Sequence, residues 1–299
     1  FVNGKALAKA ENILDEIVNL SRDADLIGVS LMTNYFESAV QITQRIKKDM
    51  RTPVIWGGIH PTVRPEESLQ YADMVCLGEG EEAILELAQK MEEGKEFYNI
   101  KSLWVKNNGT IIKNELRPLI QNLDSLPFSD YDATNHYVID ENNNLVKMND
   151  SLFEKWLPYE PFFNNERRKT LRIMTSRGCP HNCSYCTNTF LKSLYHDHKY
   201  LRFRSNKSII NEVSNIIKKF KFIQTISLMD DTFCIKSADD IKEFSELYKA
   251  EIGLPFTVQV SPSTISEEKM ECLADAGMLL IEMGIQSGSE DTKRLFNRK

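Results

Sequence analysis

The chain has 299 residues, of which 41% are hydrophobic and 27% are charged, and its 37 basic and 43 acidic residues give a net charge of −6. This length predicts two domains of about 100–200 residues each, and the negative charge argues against nucleic acid or an anionic membrane as the main partner. No apolar run approaches the roughly 20 residues of a membrane span, and no signal peptide is evident, so we expect a cytoplasmic protein. The chain begins without Met, which predicts a fragment.

Helical and strand patterns alternate over the first 95 residues. Apolar residues at helical spacing predict helices, and short apolar runs predict buried strands. The predicted helices cover residues 5–20, 37–50 and 81–92, and the predicted strands cover residues 25–32, 53–56 and 73–77. Gly57-Gly58 ends the second strand, and Pro61 and Pro65 predict an irregular segment after it. This alternation predicts an α/β fold with a doubly wound parallel sheet.

Residues 96–168 lack this alternation and predict a connector between two domains. The Asn108-Gly109 pair lies between two β-prone runs, which predicts a hairpin over residues 103–112. The segment rich in Asn and Pro that follows, up to Asn165, predicts a long irregular connection. The domains expected from the sequence are therefore residues 1–95 and 169–299.

From Thr170 onward the alternation resumes. The predicted strands cover residues 171–176, 223–229, 255–260 and 279–285, and the predicted helices cover residues 206–220, 238–251 and 266–276. Ser205 and Ser266 are the expected N-caps of two of these helices. A last helix is predicted from Glu290. Four consecutive βα units predict the first part of a barrel.

Three of the six cysteines lie within eight residues, at Cys179, Cys183 and Cys186. Three thiolates on one short loop match three ligands of a [4Fe–4S] cluster, whose fourth iron is then open to a small molecule. The alternative is a zinc site, with a histidine as the fourth ligand, although zinc sites usually use cysteine pairs separated by a longer loop. The histidines near enough for that role are His181, His196 and His198.

The segment from Cys179 to Cys186 resembles the signature of the radical S-adenosylmethionine (SAM) superfamily, Cys-x3-Cys-x-aromatic-Cys, with Tyr185 as the aromatic residue. The resemblance implies a partial (β/α)6 barrel in which the three cysteines hold the cluster and SAM binds its open iron. It also implies cleavage of SAM to methionine and a 5′-deoxyadenosyl radical that takes hydrogen from a substrate. An external electron donor such as flavodoxin or ferredoxin would then be a partner.

Two strand ends of the predicted barrel carry further positions that the family uses for SAM. The resemblance places the methionine amino group near Asp230 and Asp231, after the second barrel strand, and the alternative role of both residues is a cap or a turn. Gln259 and Ser261 end the third strand. They are candidates for contact with the ribose or the carboxylate of SAM.

The fourth barrel strand ends in a segment that begins Gly284-Ile285-Gln286-Ser287-Gly288, similar to the Gly-Ile-Glu-Ser-Gly-Ser segment of this branch. Gln286 stands where Glu is usual, so a role that depends on that charge is not expected. Glycines allow a close approach of the backbone to an adenosyl group, and the alternative is a plain turn into a helix.

The first domain resembles the cobalamin-binding domain that is fused to many radical SAM enzymes, in the segments 25–30, 57–62 and 78–81. The residues that the resemblance places along the cobalamin are Ser30, Met32, Thr33, Gly57, Gly58, Gly78 and Glu79. We expect them at the C-terminal ends of the parallel strands. No Asp-x-His-x-x-Gly motif offers a cobalt ligand, and His60 is not that ligand by position. Because the first strand of that fold lies upstream of Phe1, we expect this chain to bind cobalamin poorly.

These observations predict a radical SAM enzyme that performs cobalamin-dependent methylation of an unactivated carbon in a small molecule. One alternative is oxidative ring formation of the magnesium-protoporphyrin ester cyclase type, which the sequence also resembles. The non-enzymatic alternative is a zinc-stabilised binding module. A methylthiotransferase is disfavoured, because its N-terminal domain needs three further cysteines and this one has only Cys76.

Overall fold

The computed structural model describes residues 11–161, 167–195 and 198–298, and it divides the chain into two compact units. The first unit comprises residues up to 118 together with 135–147, and the second comprises 119–134 and the residues from 148 onward. Each unit contains one five-stranded sheet. In the described part of the chain, no helix combines the length and the apolar character needed to cross a bilayer.

The sheet of the first unit has the strand order β1-β2-β3-β4-β5. Strands β1, β2 and β3 are parallel, β4 is antiparallel to β3, and β5 is antiparallel to β4. The elements of this unit are α1 (Glu11–Leu20), β1 (Ile27–Ser30), α2 (Phe36–Asp49), β2 (Val54–Gly57), α3 (Ile59–Val63), α4 (Pro65–Ser68), β3 (Met74–Cys76), α5 (Glu81–Glu92), β4 (Leu103–Asn107), β5 (Thr110–Lys113), β6 (Tyr137–Ile139) and β7 (Leu145–Lys147). The first residues of the helix predicted over 5–20 lie outside the described residues.

Strand β2 shows why this sheet is covered on both faces. Val54 and Trp56 pack with side chains of α2 on one face, whereas Ile55 packs with side chains of α5 on the other. Successive side chains of a strand point to opposite faces, so a continuous apolar run requires two layers of cover. The predicted doubly wound α/β fold is confirmed.

The segment after β2 is helical, which corrects the expectation of an irregular segment there. Pro61 is the third residue of α3 and Pro65 is the first residue of α4. The N–H groups of the first helical turn have no partner within the helix, so proline loses nothing at these positions. Two prolines four residues apart therefore lie in the first turns of two short helices.

The hairpin predicted at Asn108-Gly109 is present as β4 and β5, and both turn residues have positive φ values of 47° and 82°. The later part of residues 96–168 is more ordered than expected. It contains a second hairpin, formed by β6 and β7, together with a helix and a strand of the second unit. Residues 162–166 of this segment lie outside the described residues.

The second sheet has the order β14-β13-β12-β9-β8, with β9, β12, β13 and β14 parallel and β8 antiparallel at the edge. The elements of this unit are α6 (Asp150–Trp156), β8 (Tyr159–Pro161), β9 (Arg167–Ile173), β10 (Ser176–Arg177), α7 (Thr187–Leu194), β11 (Arg202–Phe203), α8 (Asn206–Lys219), β12 (Thr225–Leu228), α9 (Ala238–Glu251), β13 (Phe256–Val260), α10 (Glu267–Asp275), β14 (Met278–Met283) and α11 (Glu290–Leu295).

The core of this unit lies between the sheet and the helices α8, α9 and α10. Alternate residues of the strands, such as Ile226 and Leu228 of β12, are fully buried there. Ser205 caps α8 and Ser266 caps α10, because each hydroxyl accepts a hydrogen bond from a backbone N–H of the first turn. The parallel strands bring the loops that follow β9, β12, β13 and β14 to one edge of the sheet.

Candidate functional site

The three clustered cysteines lie on the loop that follows β9 and the short strand β10. All three are free thiols; Cys179 and Cys183 are buried and Cys186 is half-buried. The loop begins at Gly178, which has a φ of +91°, and a Cβ there would lie 2.6 Å from the backbone oxygen of Tyr200. Only glycine satisfies both the backbone angle and the close approach. The entry to the cysteine loop is therefore fixed in shape.

Side chains of helix α7 form hydrogen bonds with oxygen atoms of the cysteine loop. The ammonium group of Lys192 donates hydrogen bonds to the backbone oxygen of Pro180 and to Oδ1 of Asn182, both at 2.9 Å. The hydroxyl of Thr189 donates to the backbone oxygen of Cys183 at 2.8 Å. These contacts use backbone and amide oxygens, so they order the loop without occupying the thiols.

Each of the three cysteine sulfurs has an N–H donor near it. Burial raises the pKa of Cys179, and a hydrogen bond from the backbone N–H of His181 opposes that shift. Nη1 of Arg298 lies 3.6 Å from Sγ of Cys183, and Nδ2 of Asn188 lies 3.9 Å from Sγ of Cys186. Hydrogen-bond donors stabilise thiolates, which are the form that binds iron.

Three free thiols on one ordered loop, with donors aimed at them, fit the requirements of a [4Fe–4S] cluster. The zinc alternative requires four ligands that converge on one ion. Among the described residues, no group of three or more His, Cys, Asp or Glu side chains converges to hold a single metal ion. His181 and His198 are included in that finding, whereas His196 lies outside the described residues.

Asp230, which the resemblance places near the methionine amino group of SAM, is already bonded within the chain. Its side chain is fully buried, and it accepts hydrogen bonds from the backbone N–H groups of Thr175 and Ser176, both at 2.7 Å. The hydroxyls of the same two residues also donate to it. These four hydrogen bonds connect the residue after β12 to the segment that leads into the cysteine loop.

Asp231 is exposed, in contrast to its neighbour, and its charge acts on Cys179 of the cysteine loop. Protein atoms packed around its carboxylate raise its pKa, a hydrogen bond with the side chain of Asn188 lowers it, and the charge of Asp230 raises it further. The hydroxyl of Tyr200 donates to Oδ1 of Asn188 at 2.8 Å, which orients that amide so that its NH2 group serves as donor. Of the two adjacent aspartates, Asp231 is the one with a carboxylate open to a ligand.

The two candidates at the end of β13 differ in accessibility. Gln259 is half-buried, and its amide donates to Glu282 of the neighbouring strand at 3.0 Å. Ser261 is buried, and its N–H donates to the hydroxyl of Thr232 at 3.2 Å. Gln259 therefore remains within reach of a bound molecule, whereas Ser261 belongs mainly to the packing between two loops.

The loop after β14 has an unusual backbone at Gln286, which is exposed and has a φ of +68°. A residue other than Gly or Asn is strained in this conformation, and such strain is typical of ligand-binding loops. The backbone oxygen of the preceding Gly284 accepts a hydrogen bond from Nη2 of Arg298 at 2.6 Å. Tyr185 is 51% exposed, and its ring packs edge-on against Phe296 with centroids 5.2 Å apart.

The sequence gives no indication of the roles of Arg298, Asn188 and Tyr200. None belongs to a short motif, and their contacts with the cysteine loop arise only in the folded chain. Two other arginines are structural. Arg202 donates to the backbone oxygen of Ile120 at 2.8 Å, and Arg204 forms an ion pair with the buried Glu212.

The other candidate site lies in the first unit, at the C-terminal ends of β1, β2 and β3. The backbone N–H of Leu31 donates to the oxygen of Gly57 at 3.0 Å. Gly58 has a φ of +94°, and a Cβ there would lie 2.8 Å from the backbone oxygen of Leu31. The hydroxyl of Thr62 bridges the next pair of loops, because it donates to the oxygen of Gly58 and accepts from the N–H of Gly78. The three loops therefore form one continuous edge.

The side chains that the sequence places along cobalamin are accessible at this edge. Ser30, Met32 and Thr33 are exposed, and Met32 retains 50% of its accessible surface. Gly57, Gly58, Gly78 and Glu79 are partly exposed. An edge lined by hydroxyls, glycines and a flexible apolar side chain fits a large, flat ligand with polar substituents.

His60 lies beneath this edge. It is only 3% exposed, its ring packs against Phe36 at 4.7 Å, and its Nδ1 lies 3.2 Å from the hydroxyl of Thr33. Burial lowers its pKa, although the charge of Glu67 opposes that shift. A buried imidazole that contacts the loop after β1 and the start of α2 fits a structural histidine.

The geometry of the second unit, a row of parallel βα units with three cysteines after its first parallel strand, defines the class of radical SAM domains. Comparison with known proteins agrees. Residues 173–299 match the family model described as the radical SAM superfamily, and residues 4–88 match the B12 binding domain. The chain therefore contains a radical SAM domain, preceded by a B12-binding domain. The predicted cofactor set of [4Fe–4S] cluster, SAM and cobalamin is that of these two matched families.

Individual relatives are similar over nearly the whole chain. An uncharacterized methyltransferase of Pyrococcus horikoshii is 27% identical over 89% of this chain and 52% of its own length. The bacteriochlorophyllide d C-8(2)-methyltransferase of Chlorobaculum tepidum is 22% identical over 94% of this chain and 54% of its own length. The radical SAM methyltransferase TsrM of Kitasatospora setae, solved with tryptophan and a SAM analogue, has a TM-score of 0.71 at 16% identity, covering 96% of this chain and 53% of TsrM. The chain thus spans about half the length of these relatives.

Proposed function

We propose that this chain is the cofactor-binding part of a cobalamin-dependent radical SAM methyltransferase that acts on an unactivated carbon of a small molecule. The observation that carries the proposal is the ordered loop with three free cysteines and N–H donors at its sulfurs. When bound, the cluster and SAM supply a 5′-deoxyadenosyl radical and cobalamin supplies a methyl group. The methyltransferase names of the relatives support methyl transfer over ring formation.

The residues of the second unit have distinct proposed roles. Cys179, Cys183 and Cys186 hold the cluster, and the exposed carboxylate of Asp231 accepts hydrogen bonds from the SAM ammonium group. Asp230 acts indirectly, because it fixes the turn before the cysteine loop. We place the other accessible residues along the adenosyl and ribose groups; these are Tyr185, Gln259, Gly284 and Gln286.

In the first unit, the continuous loop edge is the proposed cobalamin site. Ser30, Met32 and Thr33 are its exposed side chains, and the glycines of the other two loops allow a close approach of the backbone. His60 is not proposed as the cobalt ligand, because it is buried and held by Thr33. Equilibrium dialysis with hydroxocobalamin tests this: His60→Ala should leave the cobalamin affinity of the chain unchanged, and tight binding that this change abolishes would contradict the assignment.

The substrates named for the relatives differ in kind, since one is a bacteriochlorophyllide and another is tryptophan. The substrate class therefore stays at the level of a small molecule. A reduced flavodoxin or ferredoxin is the proposed electron donor, because cleavage of SAM requires an electron from outside the chain.

The test is anaerobic reconstitution with iron and sulfide, followed by incubation with SAM and a chemical reductant. We expect about four irons per chain and production of 5′-deoxyadenosine. Cys183→Ala should lose both, whereas Cys272→Ala, a matched change at a half-buried cysteine outside the loop, should keep both. One zinc per chain with no iron, or a Cys183→Ala variant with undiminished 5′-deoxyadenosine production, would refute the proposal.

A further inference from the structure

The residues that follow α11, far from the cysteine loop in sequence, also form hydrogen bonds with that loop. The backbone N–H of Ser184 donates to the oxygen of Phe296 at 2.9 Å. Nδ2 of Asn297 donates to the backbone oxygen of Asn182, also at 2.9 Å, across 115 positions of sequence. These two contacts immediately precede Arg298 in sequence and hold this end of the segment beside the cysteine loop.

The guanidinium group of Arg298 connects two parts of the site. Nη2 donates to the backbone oxygen of Gly284 at 2.6 Å, and Nη1 lies 3.6 Å from Sγ of the buried Cys183. The first contact anchors the planar group, and the second directs an N–H toward the sulfur. Arginine stays protonated in proteins, so this donor carries a full positive charge, unlike the backbone N–H of His181 and the side-chain amide of Asn188.

We propose that Arg298 tunes the cluster: its guanidinium group donates a hydrogen bond to the Cys183 sulfur and places a fixed positive charge beside it, which raises the reduction potential of the [4Fe–4S] cluster. This inference rests on the proposed function, because it requires that the cysteines hold the cluster. Reduction adds one electron to the cluster and its thiolate ligands. A nearby positive charge and an N–H donor both stabilise the more negative form.

The experiment is a potentiometric titration of the reconstituted 299-residue chain with dithionite, in which electron paramagnetic resonance records the reduced cluster. Arg298→Gln removes the charge and keeps an amide donor, whereas Arg298→Lys keeps the charge but cannot serve both contacts. The matched control is Arg294→Gln, which removes the same charge from an exposed residue of α11 whose partner is Asp291, at 3.2 Å.

We expect Arg298→Gln to lower the ratio of reduced to oxidised cluster at a fixed potential by about tenfold, which is a downward shift of about 59 mV for a one-electron couple. Arg298→Lys should give a smaller shift in the same direction, of about threefold in that ratio. Arg294→Gln should leave the potential near that of the parent. Iron content should stay at about four per chain in all three variants.

A fully loaded Arg298→Gln variant whose potential matches that of Arg294→Gln would overturn the inference. If Arg298→Gln fails to retain four irons, Arg298→Lys decides in the same way: a shift no larger than that of Arg294→Gln overturns the inference. A parent chain that forms no four-iron cluster would instead refute the proposed function. The two failures are therefore distinguishable.

Discussion

Replacing Asp230 by Ala should loosen the turn between β9 and β10. The carboxylate accepts hydrogen bonds from the N–H groups of Thr175 and Ser176 at 2.7 Å and is fully buried. Its removal leaves two buried backbone donors without an acceptor, at a cost of about 1–3 kcal/mol each. Because a water molecule could enter the space and satisfy part of this loss, we expect the local stability to fall by about 3 kcal/mol.

Hydrogen exchange measures this loss directly at the two amides. A decrease of about 3 kcal/mol in the free energy of local opening corresponds to roughly 100-fold faster exchange of the Thr175 and Ser176 N–H groups. The matched control is Asp231→Ala, which changes an exposed carboxylate next to Asp230 and should leave both exchange rates within a factor of about three. The iron content of Asp230→Ala should also fall, since the turn leads into the cysteine loop.

Equal exchange rates in the Asp230→Ala and Asp231→Ala variants would refute the positioning role of Asp230. A variant that exchanges normally and holds four irons but has lost SAM affinity would assign Asp230 to the SAM ammonium group instead, as the sequence alone predicts.

Three other expectations follow from single contacts. Asp231→Asn should weaken SAM binding by about 10- to 150-fold in equilibrium binding and leave the iron content unchanged, since a charge-assisted hydrogen bond contributes about 1.5–3 kcal/mol; unchanged affinity would contradict the proposed contact. Gly178→Ala should lower the free energy of unfolding by about 2 kcal/mol or more. The control is Gly288→Ala, where a Cβ meets nothing within 4 Å and the free energy of unfolding should not fall. Equal melting temperatures of these two variants would show that the close approach at Gly178 is unimportant. Burial raises the pKa of Cys234 to about 11, so its thiol should resist iodoacetamide at pH 8 while the half-buried Cys272 reacts. The stability that the protonated Cys234 thiol provides should be lost as the pH rises from about 9 to 11. Rapid labelling of Cys234 at pH 8 would contradict its burial.

Much of the fold follows from local patterns that a sequence displays directly. Helix α5 covers the predicted residues 81–92, and the turn at Asn108-Gly109 forms the expected hairpin, because helical periodicity and turn chemistry depend on residues only a few positions apart. The short helices at Pro61 and Pro65 were not expected from the sequence, since a proline interrupts a helix in its interior but not in its first turn.

The cysteine triplet is the part of the site that the sequence determines by itself, because its spacing alone places three thiols on one loop. The tertiary structure decides the distribution of roles around it. Two adjacent aspartates look equivalent in sequence, but the chain buries Asp230 against four donors and leaves Asp231 exposed. Arg298 reaches Cys183 across 115 positions, a contact that no local pattern encodes. Such contacts depend on which strand ends meet at one edge of the sheet, and only the packing of the whole unit fixes that.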